Sequence, residues 1–156
     1  YARNVLGWKD ANTTEIDRAT AHPVVDIMPE QKELLAKGNF GGSMRLGAYP
    51  AKLKEGSIAA SAYGAKEISE RHRHRFEFNN EYRKHLEAKG FVISGTSPDN
   101  FFVEMIELPK EQHPFFIATQ AHPEYKSRPL APHPIFVEYM LAVNSTQKPN
   151  EQVKKP

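Results

Sequence analysis

The run Gln120-Ala121-His122-Pro123-Glu124 combines residue types and spacing that can do chemistry. It follows Phe115–Ala118, an apolar stretch expected to form a buried, central strand, and so sits where that strand ends. A group at a strand end is held rigidly yet opens to solvent, the usual place for a site on an α/β sheet. Pro123 fixes its own φ and pushes His122 toward an extended conformation. Two residues along an extended chain, about 6.6 Å, bring side chains to the same side. The Glu124 carboxylate can then accept a hydrogen bond from one imidazole nitrogen of His122. Such a bond selects the tautomer, raises the basicity of the other nitrogen and stabilises imidazolium. A histidine with a carboxylate helper makes two of the three members of a nucleophilic triad; the third is a Ser, Cys or Thr that approaches from elsewhere. From spacing alone, a local hydrogen bond without catalytic consequence is the commoner outcome.

These side chains need a scaffold. The 156 residues, 39% hydrophobic and 26% charged, suit one domain with a packed core. A net charge of +2 gives no ground for nucleic-acid binding, and no apolar run is long enough to cross a bilayer. No signal peptide is evident. There is no cysteine, so the chain holds no disulfide, thiolate metal site or thiol nucleophile of its own. Tyr1, Ala2, Val5, Leu6 and Trp8 are spaced like one face of a helix already in progress, which predicts a piece of something longer.

Along the chain, residues 1–9 read as the tail of a helix, Asn12–Thr14 as a loop and Pro23–Met28 as a short buried strand. Glu30–Gly47 carries four glycines and reads as a mobile connection; Ser57–Ala65 reads as a short helix despite Gly64. Ile68–Phe78 reads as one strand. One face carries Ile68, Glu70, His72, His74, Phe76 and Phe78, and the other Arg71, Arg73, Arg75 and Glu77. Asn79 or Asn80 can cap a helix with Tyr82 and Leu86 on one side, ended by Gly90. Phe91–Ser94 and Phe102–Leu108 read as a hairpin around Ser97-Pro98-Asp99-Asn100. Phe101, Phe102, Phe115 and Phe116 are expected in the core. Pro134 can open a last helix with an apolar stripe of Ile135, Phe136, Tyr139, Met140 and Val143. Residues 144–156 read as a disordered polar tail after a domain over residues 1–143. His72 and His74 share a strand face with Glu70 beside them, but a convincing third ligand at the right offset is not evident, so no metal site is assigned.

His122-Pro123-Glu124 resembles the histidine–glutamate element of class I glutamine amidotransferases. QAHPEYKSRP from Gln120 to Pro129 is similar to the version found in the CTP synthase family. So are Asn12-Thr13-Thr14-Glu15, Gly41-Gly42-Ser43-Met44-Arg45-Leu46-Gly47 and Glu70-Arg71-His72-Arg73-His74-Arg75-Phe76-Glu77, in the family's order. The resemblance, covering residues 1–143, implies the C-terminal portion of a flavodoxin-like α/β amidotransferase domain. A mixed sheet with antiparallel final strands and a C-terminal helix is expected. It implies His122 as general base and acid and Glu124 as its orienting partner. Arg75 would bind the α-carboxylate of glutamine and Glu15 its α-amino group. Gly41–Gly47 would border the glutamine site, in a region that takes part in closure and the response to GTP.

The same resemblance implies a cysteine nucleophile, on a sharp turn just before the helix that Tyr1–Leu6 is expected to continue, so this chain alone should be inactive. The parent would use ATP and Mg, with GTP as activator, to aminate UTP to CTP. Its remaining partner would be a missing N-terminal synthetase domain; the resemblance also implies a homo-tetramer in the cytoplasm, without nucleic acid or membrane, and no cofactor bound by this chain. Another class I amidotransferase, a γ-glutamyl hydrolase, or a non-catalytic interaction or regulatory domain of the same fold are the alternatives.

Overall fold

The computed structural model describes residues 1–27 and 44–146. Among these residues eight strands form two sheets. They are β1 (Asn12–Thr13), β2 (Pro23–Ile27), β3 (Arg45–Leu53), β4 (Glu67–His74), β5 (Phe76–Phe78), β6 (Val92–Thr96), β7 (Val103–Glu107) and β8 (Ile117–Thr119). Three α-helices accompany them among the described residues: α1 (Ile58–Tyr63), α2 (Arg83–Glu87) and α3 (Pro134–Thr146). The larger sheet runs β4-β3-β6-β7-β8, with every neighbouring pair antiparallel. The smaller runs β1-β2-β5 and is mixed, because β1 pairs parallel to β2 and β5 antiparallel. The expected α/β architecture, with antiparallel final strands and a terminal helix, is thus present.

Local chemistry accounts for several elements. Ser57 caps α1 by accepting from the Ala60 amide at 3.0 Å, and Gly64 ends that helix in the left-handed region at φ +61°. Gly64, a weakness in a helix interior, is therefore the stop signal. Asn79 caps the 3-10 turn Asn80–Tyr82 that leads into α2. The β6–β7 hairpin closes through Ser97 and Asp99, with Asn100 at φ +63°.

Two apolar clusters hold the elements together. Leu53, Ala59, Met105 and Ile135 join β3, α1, β7 and α3, while Leu86, Phe91, Ile93 and Val103 join α2 to β6 and β7. Gly95 is required by the first cluster. A Cβ there would sit 3.0 Å from Met105 Cβ and 3.3 Å from Leu53 Cδ2.

Several expectations need correction. Tyr1–Leu6 forms a hydrogen-bonded turn rather than a helix, with the Val5 amide donating to the Tyr1 carbonyl at 2.8 Å. Asn12–Thr13 is a strand, because β2 supplies pairing that no local signal announces. The long strand breaks at Arg75: β4 lies against β3, whereas β5 crosses to β2 in the other sheet. The bend reverses the faces, so Glu77 is buried although the unbroken alternation sets it with exposed Arg71 and Arg73. Ile117–Thr119 is an edge strand among the described residues, not a central one. None of Phe101, Phe102, Phe115 and Phe116 is fully buried, and Phe136, Tyr139 and Met140 of α3 are exposed. The glycine-rich stretch lies outside the described residues up to residue 43, as does the tail from residue 147; Asn144–Thr146 continue α3.

Met105 is 2% exposed between β6 and α1, so Met105→Ala should cost about 2–5 kcal/mol in chemical denaturation. A loss below about 1 kcal/mol would remove Met105 from the core.

Candidate functional site

The backbone places His122 first. Its amide donates to the Arg71 carbonyl of β4 at 2.8 Å, docking the segment beside that strand. Pro123–Tyr125 then form a single 3-10 turn, with His122 at its start (φ −108°, ψ 87°). The expected extended geometry is therefore replaced by a tight turn, in which proline fits the first position because no amide is needed there. The pairing survives: His122 Nδ1 and Glu124 Oε1 are 2.7 Å apart. The Tyr125 ring stacks on the imidazole, centroids 4.9 Å apart and 14° from parallel. With Nδ1 engaged by the carboxylate, Nε2 is the nitrogen left to exchange a proton; it has no hydrogen-bond partner among the described residues. The imidazole is about one-third exposed. The hydrogen bond from His122 holds the Glu124 carboxyl below its ordinary pKa, with help from a backbone amide, so the helper stays anionic.

Beneath the turn, β4 buries polar side chains. His72 and His74 share a 2.8 Å hydrogen bond, and His72 Nε2 lies 3.7 Å from Glu104. Arg45 donates to Glu104 Oε1 at 2.5 Å and approaches Glu77 at 3.8 Å, while its guanidinium lies over the Tyr49 and Phe102 rings. Burial lowers the pKa of His72 to about 3 and that of His74 to about 4, and the Arg45 charge adds to both shifts. Both imidazoles are neutral at pH 7. Burial pushes Glu77 up to about 7, against the opposing pull of Arg45. Arg45 belongs to a stretch that reads as a mobile connection, yet it is buried at the start of β3. A lone arginine beside glycines carries no local sign of the carboxylates that will surround it.

The two remaining candidates flank the smaller sheet. Glu15 is exposed on the turn after β1, and Arg75 is half-buried at the bend before β5. Arg75 stands four residues along the chain from the point where His122 docks, about 13 Å of extended backbone. A second histidine–carboxylate pair escaped the sequence reading. His22 Nδ1 lies 2.8 Å from Asp10, and its ring stacks on Trp8. Twelve residues separate that pair, so no spacing rule finds it. Among the described residues no group of three or more His, Cys, Asp or Glu side chains is arranged to hold a metal. A cavity of about 850 Å³ opens elsewhere, beside α1, where the Glu107 carboxylate is already taken by the Ile58 and Ala59 amides.

The family model for glutamine amidotransferase class-I matches residues 16–142. The chain belongs to that family. A CTP synthase of Fibrobacter succinogenes is 56% identical over 158 residues, covering 100% of this chain and 27% of that protein. One from Caldanaerobacter subterraneus is 57% identical over 143 residues, covering 92% and 26%. The chain thus spans about a quarter of the length of the curated relatives it matches. A solved structure of the Trypanosoma brucei CTPS glutaminase domain with bound acivicin aligns with a TM-score of 0.82 at 34% identity. That alignment covers 97% of this chain and 57% of the other.

The buried histidines give this amidotransferase domain a defined acid response. A histidine kept neutral by folding contributes stability that is complete above its unfolded pKa of 6.5 and is lost as pH falls toward 3 or 4. Glu77 acts in the opposite sense, its contribution present below 4.5 and lost as pH rises through about 7. Two histidines outweigh one glutamate between 4.5 and 6.5, so stability should fall with acidification across that window. Replacing both histidines by glutamine should remove this loss in pH-dependent denaturation and leave the opposite contribution of Glu77; an unchanged slope would show that neither histidine titrates on unfolding.

Proposed function

We propose that this chain supplies the histidine–glutamate half of the glutaminase site of a CTP synthase. The observation that carries the reading is the 2.7 Å His122–Glu124 bond, which leaves Nε2 of a partly exposed imidazole for proton transfer. The CTP synthase relatives support it and do not favour a non-catalytic domain or a γ-glutamyl hydrolase.

The 156 residues contain no cysteine, so the nucleophile is proposed to come from another part of a longer protein. His122 Nε2 takes the thiol proton, and the thiolate attacks the side-chain amide carbon of glutamine. The imidazolium then returns that proton to the departing nitrogen, and ammonia leaves as a glutamyl thioester remains. Water attacks the thioester with His122 again as base, releasing glutamate and restoring the thiol. Glutamine and water become glutamate and ammonia, with no net proton left on the imidazole. Glu124 stabilises the imidazolium in both halves and keeps Nε2 aimed at the reacting atoms. Arg75 would bind the α-carboxylate with its guanidinium fork, and Glu15 the α-amino group.

In the whole protein the ammonia would aminate UTP in a synthetase domain that uses ATP and Mg, with GTP as activator. A homo-tetramer in the cytoplasm is part of the same proposal. By itself this chain would show no glutaminase activity.

In the full-length protein, His122→Ala should lower glutamine-dependent CTP formation by about 10²–10⁴-fold and leave ammonia-dependent formation largely intact. Loss of both, or of neither, would contradict the assigned role. Arg75→Ala should raise the Michaelis constant for glutamine by about tenfold or more, since hydrogen bonds to charged groups are worth about 1.5–3 kcal/mol. An unchanged constant would exclude Arg75 from the substrate site.

A further inference from the structure

We propose that Glu70 is a positioning residue for the His122–Glu124 pair. The inference rests on the function proposed above. Glu70 is 3% exposed, and its Oε1 accepts from Tyr63 Oη at 3.1 Å, His133 Nε2 at 3.1 Å and Lys126 Nζ at 3.4 Å. These donors come from α1, from the residue before α3 and from the end of the catalytic turn.

The turn cannot hold itself in place. It is a single 3-10 turn, closed by Tyr125 N to the His122 carbonyl and Lys126 N to the Pro123 carbonyl, each at 3.1 Å. Three consecutive residues of β4 grip it from outside. The Arg71 carbonyl takes the His122 amide at the front, while the Ser69 carbonyl takes Lys126 Nζ at 2.6 Å behind. Glu70 lies between them and adds its charge to the lysine. The downstream side is tied as well. The His133 amide donates to Ser127 Oγ at 3.2 Å, and His133 Nδ1 accepts from the Ile135 amide at 3.3 Å. That acceptor role puts the proton of a neutral His133 on Nε2, where it points at Glu70. One buried carboxylate therefore joins β4, α1, α3 and the turn that carries the proton-transfer pair.

Glu70 does not touch the substrate in this scheme. It sets where His122 stands through Lys126 and through the Ser127–His133 tie, and a misplacement of about 1 Å can cost on the order of a hundredfold in rate.

The test uses the full-length protein and compares Glu70→Ala, Glu70→Gln and Lys126→Met with His122→Ala. Glu70→Ala should lower the glutamine-dependent turnover number by about tenfold to a hundredfold, with little change in the Michaelis constant for glutamine and ammonia-dependent CTP formation retained. Glu70→Gln keeps an oxygen acceptor and should recover part of the loss. Lys126→Met, at a half-exposed position, should give a smaller loss of the same kind and remains informative if Glu70→Ala fails to fold. Unchanged glutamine turnover in both Glu70→Gln and Lys126→Met, or parallel loss of both reactions, overturns the positioning role. If His122→Ala itself leaves glutamine turnover intact, the proposed function falls and this inference with it. If His122→Ala abolishes that turnover while the Glu70 and Lys126 variants do not change it, only the inference falls.

Discussion

A strand that buries Glu70 and His72 where aliphatic residues would ordinarily sit must bring polar partners to both. Burying an ionisable group without a hydrogen bond or counter-charge is expensive, so this demand organises what surrounds β4. Glu70 gathers Tyr63, His133 and Lys126 on one side of the fold. His72 leads through His74 and Glu104 to Arg45 and Glu77. The first set holds the turn that carries His122, and the second joins the two sheets around the bend at Arg75. The turn that carries His122 and the bend at Arg75 therefore both depend on the polar face of a single strand.

The two sets differ electrostatically. Around Glu70 the charge is partly open, because Lys126 reaches it from a half-exposed position. Around Arg45 it is closed. The guanidinium and the carboxylates of Glu77 and Glu104 are almost entirely shielded from water. Such clusters add little net stability over a well-packed apolar core, but breaking one partner leaves an uncompensated charge. Neutral His72 and His74 limit that cost by contributing dipoles rather than further cations. The arrangement fixes geometry more than it adds stability, which suits a bend that must present a side chain at one angle.

Hydrogen-bond geometry alone does not single out His122. The His22–Asp10 pair has nearly the same length and similar exposure. The difference lies in the setting. His22 stacks against Trp8 at the margin of the smaller sheet, whereas His122 is anchored by backbone to β4, the strand that carries His72 and His74 of the buried polar cluster. A proton-transfer group is useful only where a substrate can be held against it, so the setting of the pair matters more than its length.

Local residue chemistry was enough to determine much of this protein. Ser57 and Gly64 bracket α1, Asn79 and Gly90 bracket the α2 region, and the Ser97–Asn100 turn closes the hairpin, because caps and turns depend on side chains a few residues apart. The His122–Glu124 pairing was legible for the same reason, although a tight turn replaced the extended geometry. Tertiary structure alone decided the strand break at Arg75, the burial of Glu77, the edge position of β8 among the described residues and the role of Arg45 as a hub. Each depends on partners distant in sequence: β2 captures Phe76–Phe78, and Glu104 stands 59 residues from Arg45. A repeat of two along one strand shows which residues share a face, but which sheet that face meets is set by pairing energies that no local pattern contains.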